Sequence, residues 1–138
     1  GCRVTGIPTA TLKTEYRKRE LPLTKALRER FESAKRISQG HHVFTMKSGE
    51  MFNINAFRKT PWTSALNRAE VAYRTTYITR HTFAAWALTI GMTPDRLVHL
   101  MGHGSKQMVY EVYGKYVKGL EKDAGQILEY FGNDFLEL

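Results

Sequence analysis

Three apolar-periodic runs follow one another between residues 80 and 114, and each closes on a glycine. "RHTFAAWALTIG" sets Phe83, Ala84, Ala87, Leu88 and Ile90 at helical spacing and ends on Gly91, a natural residue just past a helix end. In "TPDRLVHLMG", Thr93 is placed to cap, Pro94 suits the first helical position and Asp95 the first turn, and Gly102 ends the run. Ser105 can cap a third run through Met108 and Val112, which Gly114 is expected to stop. This half of the chain predicts short helices joined by tight glycine turns.

The first half is less regular. "ATLKT" and "RELPL" flank the polar "EYRK" and predict a β-hairpin with a charged tip. Thr24 is placed to cap a helix through about Ser33, with Ala26, Leu27, Phe31 and Ala34 roughly on one face. "HHVFTMKSGEMF" reads as a short strand and a turn at Ser48 and Gly49. Asn55 opens another helical run through Trp62, Leu66 and Ala69, with Pro61 as a kink or a fresh start after Thr60. The tail "GLEKDAGQILEYF" predicts one more amphipathic helix, its apolar side being Leu120, Ile127, Leu128 and Phe131. With no repeat and no low-complexity linker, the reading is one compact α+β unit. A small antiparallel hairpin sheet near the N-terminus stands beside a helical bundle.

Composition narrows the partners. The 138 residues suffice for one domain with its own core. No apolar run approaches the length of a membrane span, and a lone Cys2 excludes an internal disulfide and a cysteine zinc cluster. A cytoplasmic home is the simplest expectation. Twenty-one Lys and Arg against 13 Asp and Glu give +8. That excess suits a polyanion, whose counterions cationic side chains displace, and it equally suits a solvated basic surface.

Taken singly, the chemical residues say little. A histidine after a helix-ending glycine, such as His103, is most often a cap or a surface residue. A tyrosine near a helix end, such as Tyr113, is most often half-buried packing. Arg80 at a helix start opposes the helix dipole, a modest hint of an anion partner.

Taken together, they form a pattern. "TRHTFAAWAL", then "LVHLMGH", then "VYEVYGKY" closely resembles the signature of the tyrosine recombinases, or phage-type integrases. That family carries a first-position residue, two spacers and an arginine, then a Leu-Gly-His box and a tyrosine about ten residues on. The likeness runs from Tyr77 to Tyr113. It also reaches "TLKTEYRKRELPL", similar to the family's strand-turn-strand segment, where Lys13 falls at the position of the catalytic lysine. Lys18 and Arg19 of the same segment are then fallbacks for that role, more naturally contacts to the DNA backbone.

Two departures stand out. The family's first-position histidine is here Tyr77, which can still donate a hydrogen bond to a phosphate oxygen or can simply pack beneath Arg80. A further arginine, expected upstream of the hairpin, has no counterpart, since Arg3 sits too close to it. The resemblance therefore implies that residues 1–138 are the C-terminal part of a recombinase catalytic domain. The first catalytic arginine segment and a DNA-binding domain would lie upstream, and the isolated piece would be inactive.

The implied activity is site-specific recombination or integration without metal or cofactor. Tyr113 would attack the scissile phosphorus to give a 3′-phosphotyrosine and a free 5′-hydroxyl. A phenol with an ordinary pKa of about 10 needs help to do so. Arg80 would hold non-bridging oxygens, His103 would add a hydrogen bond or relay a proton, and Lys13 would protonate the departing oxygen. Tyr113 is preferred over Tyr110 and Tyr116 because "VYGKY" matches the family's tyrosine-glycine ending. His81 reads as structural and Trp86 as core. The implied partners are double-stranded DNA, further copies in a tetramer and accessory DNA-bending proteins, with no membrane. Alternatives are a non-catalytic helix-turn-helix regulator, with "IGMT" as its turn, and a type IB topoisomerase.

Overall fold

The structure is a computed structural model and describes residues 19–102 and 105–137. Seven α-helical segments are described: α1 Lys25–Ile37, α2 Ile54–Phe57, α3 Thr63–Arg68, α4 Ile78–Thr89, α5 Pro94–Met101, α6 Lys106–Val117 and α7 Ala124–Phe131. Tight helical turns at Arg58–Trp62, Glu121–Asp123 and Asn133–Phe135 supplement them. The chain divides into two units, residues 1–27 with 80–138, and residues 28–79.

The expected α+β class is not what forms. Among the described residues there is no strand and no sheet, so the chain reads as all-helical there. Of the predicted hairpin, the first arm, the tip and Lys13 lie outside the described residues. The closing arm "RELPL" forms no strand and keeps only an isolated bridge position at Leu21. Pro22 has no N–H to give a ladder, and the Arg19 side chain is spent on a helix end instead. In "HHVFTMKSGEMF" the turn is present, with Gly49 at φ +85°, but the strand reduces to a single antiparallel bridge between Thr45 and Met51. Two residues paired this way leave no face to bury against a sheet.

The first unit holds the core. Every buried residue belongs to it, with Ala84, Ala87, Leu97 and Val109 fully covered and Met92, Met101 and Tyr113 nearly so. The alanines on α4 let neighbouring side chains approach its backbone closely. Phe83 meets Phe131 and Phe135 edge-on, and those two stack with centroids 4.4 Å apart. Trp86, expected in the core, is instead half-buried and packs edge-on against Tyr130 and Phe131.

Local signals set most of these helices. Thr24 Oγ1 accepts from Leu27 N at 3.1 Å, and the first turn of α1 is tied down by Lys25 N donating to Asp134 Oδ2 at 2.8 Å. Helix α4 ends in the turn its glycine predicts. Gly91 stands at φ +97°, Met92 N donates to Ala87 O and Gly91 N to Leu88 O, the Schellman pair of bonds. Thr93 and Ser105 cap α5 and α6. Gly114 does not stop α6, which runs on to Val117. The tail splits into the Glu121–Asp123 turn and α7.

In the second unit, Asn53 rather than Asn55 begins the helical run. Its side-chain oxygen accepts from Asn55 N at 2.9 Å and Ala56 N at 3.1 Å. Pro61 neither ends nor restarts the helix. It sits inside a π-helical turn, Arg58–Trp62, which absorbs the missing N–H by widening. Phe31 meets Phe44, and Phe52, Phe57 and Trp62 form a chain of tilted rings. No residue between 28 and 79 is buried.

Candidate active site

The C-terminal turn of α5 gathers the charged groups. The last carbonyls of a helix have no partner within it and must find one elsewhere. Here two arginines supply them. Arg19 Nε donates to Leu100 O at 2.7 Å, and an Arg80 Nη donates to Met101 O at 2.6 Å. Cations at this end also meet the negative end of the helix dipole. Burial, and then the neighbouring Arg80 charge, pull the Arg19 guanidinium below its ordinary pKa.

Gly102 closes the turn in the left-handed region, at φ +64°. The missing side chain matters here. A Cβ at this position would lie 2.6 Å from one terminal nitrogen of Arg19 and 3.0 Å from its central carbon. The guanidinium therefore lies directly on the bare backbone that leads into His103.

Helix α4 connects this turn to α6. Arg80 is followed by His81, whose ring centre lies 5.4 Å from that of Tyr113 at an angle of 54°. Tyr113 lies on the inner face of α6 with Val109 one turn before it, and is only 2% exposed. Tyr110 and Tyr116 face outward at 60% and 51%. His81, read from the sequence as structural, lies against this ring.

The five expected site residues are thus treated unequally. Arg80 and Tyr113 lie in the first unit and are joined through His81. Tyr77 is exposed and belongs to the second unit, in the turn just before α4. Lys13 and His103 lie outside the described residues. Arg19, read from the sequence as a backbone-phosphate contact, is the addition. The signal that could have raised its standing is Gly102, whose φ and bare Cα make room for it, but its partner is 81 residues away in sequence. Among the described residues, no group of three His, Cys, Asp or Glu side chains is placed to hold a metal ion, and no helix is long and apolar enough to cross a membrane.

Comparison with known proteins agrees with the motif reading. The chain is 41% identical over 69 residues to the defective protein IntQ of Escherichia coli K12, and 44% identical over 62 residues to the prophage integrase IntR of the same strain. These stretches cover 50% and 45% of this chain but only 17% and 15% of the two relatives. No protein-family model and no solved structure matches the chain. A likeness to phage integrases is thereby shown, over about half of the chain.

Proposed function

We infer that the chain, related to phage integrases over about half its length, is catalytic-domain sequence of a tyrosine site-specific recombinase acting on double-stranded DNA. The observation that carries this reading is the tie from Arg80 to Met101 O, at the end of the helix that leads into Gly102 and His103. One residue further along α4, His81 meets the ring of Tyr113. Arg80 and Tyr113 thus lie on α4 and α6, which share one core with the intervening α5.

Each group then has a task. Arg80, planar and permanently charged, holds non-bridging oxygens of the scissile phosphate as negative charge grows on them. Tyr113 gives up its phenolic proton, with His103 as the relay, and attacks phosphorus. The protein–DNA bond forms at the 3′-phosphate as the bond from phosphorus to the 5′-oxygen breaks, and that oxygen leaves with a proton that Lys13 supplies. His103 also assists at the phosphate. Because Tyr113 is 2% exposed, its hydroxyl must leave the core to meet DNA. Cleavage therefore requires α6 to shift when DNA is engaged.

A helix-turn-helix reading fares worse. It needs the polar side chains of α5 for bases, yet Arg96 donates to Leu136 O at 2.8 Å and Asp95 pairs with Lys106.

The test is covalent capture. In the full-length protein, Tyr113→Phe should bind DNA and form no adduct with a nicked duplex that traps 3′-phosphotyrosine, read on a denaturing gel. An adduct that persists in that variant and disappears in Tyr110→Phe would move the nucleophile to the exposed tyrosine.

A further inference from the structure

We propose that residues 34–59 form a docking surface for an acidic amphipathic helix of a partner protein, whose apolar side chains seat in two neighbouring grooves. This does not depend on the recombinase reading, since every residue it uses lies in the second unit.

Apolar surface is left open there. One groove, of about 580 Å³, is lined by Val43, Phe44, Met51, Phe52 and Phe57, together with His42. A second, of about 390 Å³, has Ala34, Ile37 and Lys47 in its lining and shares Val43 and Phe44 with the first. Val43 and Phe44 are thus the wall between two apolar hollows. Both volumes fall in the range of about 300–1,000 Å³ in which proteins seat ligand groups. Met51 and Ile37, one in each groove, are 71% and 82% exposed, and no residue between 28 and 79 is buried. Contiguous exposed apolar surface is characteristic of interaction sites.

The form of the partner follows from the backbone. An added strand needs a ladder to continue, and among the described residues of this unit the only pairing is the single bridge between Thr45 and Met51. A helix satisfies its own backbone and offers only side chains. Apolar residues at i and i+4 lie on one of its faces, and one can enter each groove.

The partner's charge follows from the rim. Between residues 34 and 59 the cations are Lys35, Arg36, Lys47, Arg58 and Lys59, and the one acid is Glu50. Lys35 Nζ donates to the carbonyls of Gly40 and His42, which brings its ammonium to the loop that lines the larger groove. Lys47 lines the smaller one. The Glu50 carboxylate accepts from Ser48 Oγ at 3.0 Å within its own turn. Apolar hollows with this surplus of positive charge are complementary to an apolar helix face flanked by Glu and Asp. Duplex DNA offers the negative charge but nothing that fills two apolar hollows, and a second copy of this chain, at +8, brings the wrong sign.

The experiment mixes the full-length protein with a labelled synthetic peptide of about 16 residues, long enough to hold a helix. It carries Leu at helical spacing on one face and Glu and Ala elsewhere, and fluorescence anisotropy reads its binding. The peptide should bind, and more weakly as salt rises. Ile37→Ser and Met51→Ser each remove an exposed apolar contact from a different groove, and each should weaken binding about tenfold. Lys47→Glu should weaken it about threefold and flatten the salt dependence. With one variant in each groove, thermal unfolding identifies any that merely disturbs the fold, and the other still decides. Equal binding by a peptide with its leucines scrambled, or with Lys in place of Glu, overturns the proposal. So does a full-length protein that takes up no peptide, the outcome expected if other parts of that protein cover the grooves. Sedimentation in which either serine variant breaks an oligomer assigns the grooves to copies of this chain and likewise sinks it.

Discussion

Gly102 and Gly91 both adopt positive φ, +64° and +97°, but their surroundings differ. At Gly91 an added Cβ meets nothing within 4 Å, and at Gly102 it meets the Arg19 guanidinium. Gly91→Ala should therefore cost only backbone strain, about 1–2 kcal/mol. Gly102→Ala adds the displacement of a charged hydrogen bond to Leu100 O, and should cost about 3 kcal/mol or more. Chemical denaturation of the two variants gives the comparison, and equal losses would mean that Arg19 moves aside freely. The same neighbourhood shows how far single residues could be read. Arg80 stands where the motif put it, at the start of a helix. Its use of Met101 O explains the unfavourable position that the sequence exposed without explaining. Tyr113 is on the expected helix, but a sequence pattern that proposes a nucleophile cannot tell whether its ring points inward. Val109 one turn earlier is the only local hint, and neighbouring α4 supplies the rest through His81.

At the scale of elements, caps were the legible part. Thr24, Thr93 and Ser105 each accept a bond from a backbone N–H three residues on, because a side chain of the right length at a helix start has few other partners. Stops were less legible. Gly91 and Gly102 end their helices, while Gly114 lies within α6 with open space around it. Glycine only permits a turn, and whether the chain takes it depends on what lies beyond. Val112 and Val117, both partly buried, keep α6 winding past this point. Gly114→Ala should consequently stabilise the protein by about 0.4–1 kcal/mol, since alanine reduces the freedom of the unfolded chain at no steric cost. Thermal unfolding would register the gain, and a lower melting temperature would show that Gly114 needs its missing side chain. Pro61 makes the complementary point. A residue that ordinarily breaks a helix is accommodated when a wider turn spares its absent N–H.

For the whole molecule, charge and burial are unevenly informative. The excess of +8 predicts DNA binding with little sequence preference in the chain alone and an affinity that falls steeply with salt. Fluorescence anisotropy across a salt series measures this, and binding indifferent to salt would exclude an electrostatic origin. Burial is confined to the first unit. Residues 28–79 keep Ile37, Phe44 and Met51 exposed at 82%, 52% and 71%, although the sequence placed apolar residues there at regular helical and strand spacing. Periodicity marks which face could be buried and is silent on whether anything buries it.

What the sequence determined alone was local: the caps, the glycine-ended turns of α4 and α5, and the order of arginine, Gly-His box and tyrosine that carries the likeness to phage integrases. These depend on residues three to five apart, where backbone geometry leaves few choices. Tertiary structure decided what those residues do with their neighbours. It turned the closing arm of the expected hairpin into a support for a distant helix, because the unsatisfied carbonyls of Leu100 and Met101 draw guanidiniums that the chain brings from either side. It also set Tyr113 against His81 in the core, because α4 and α6 share an apolar interior that neither helix could bury by itself.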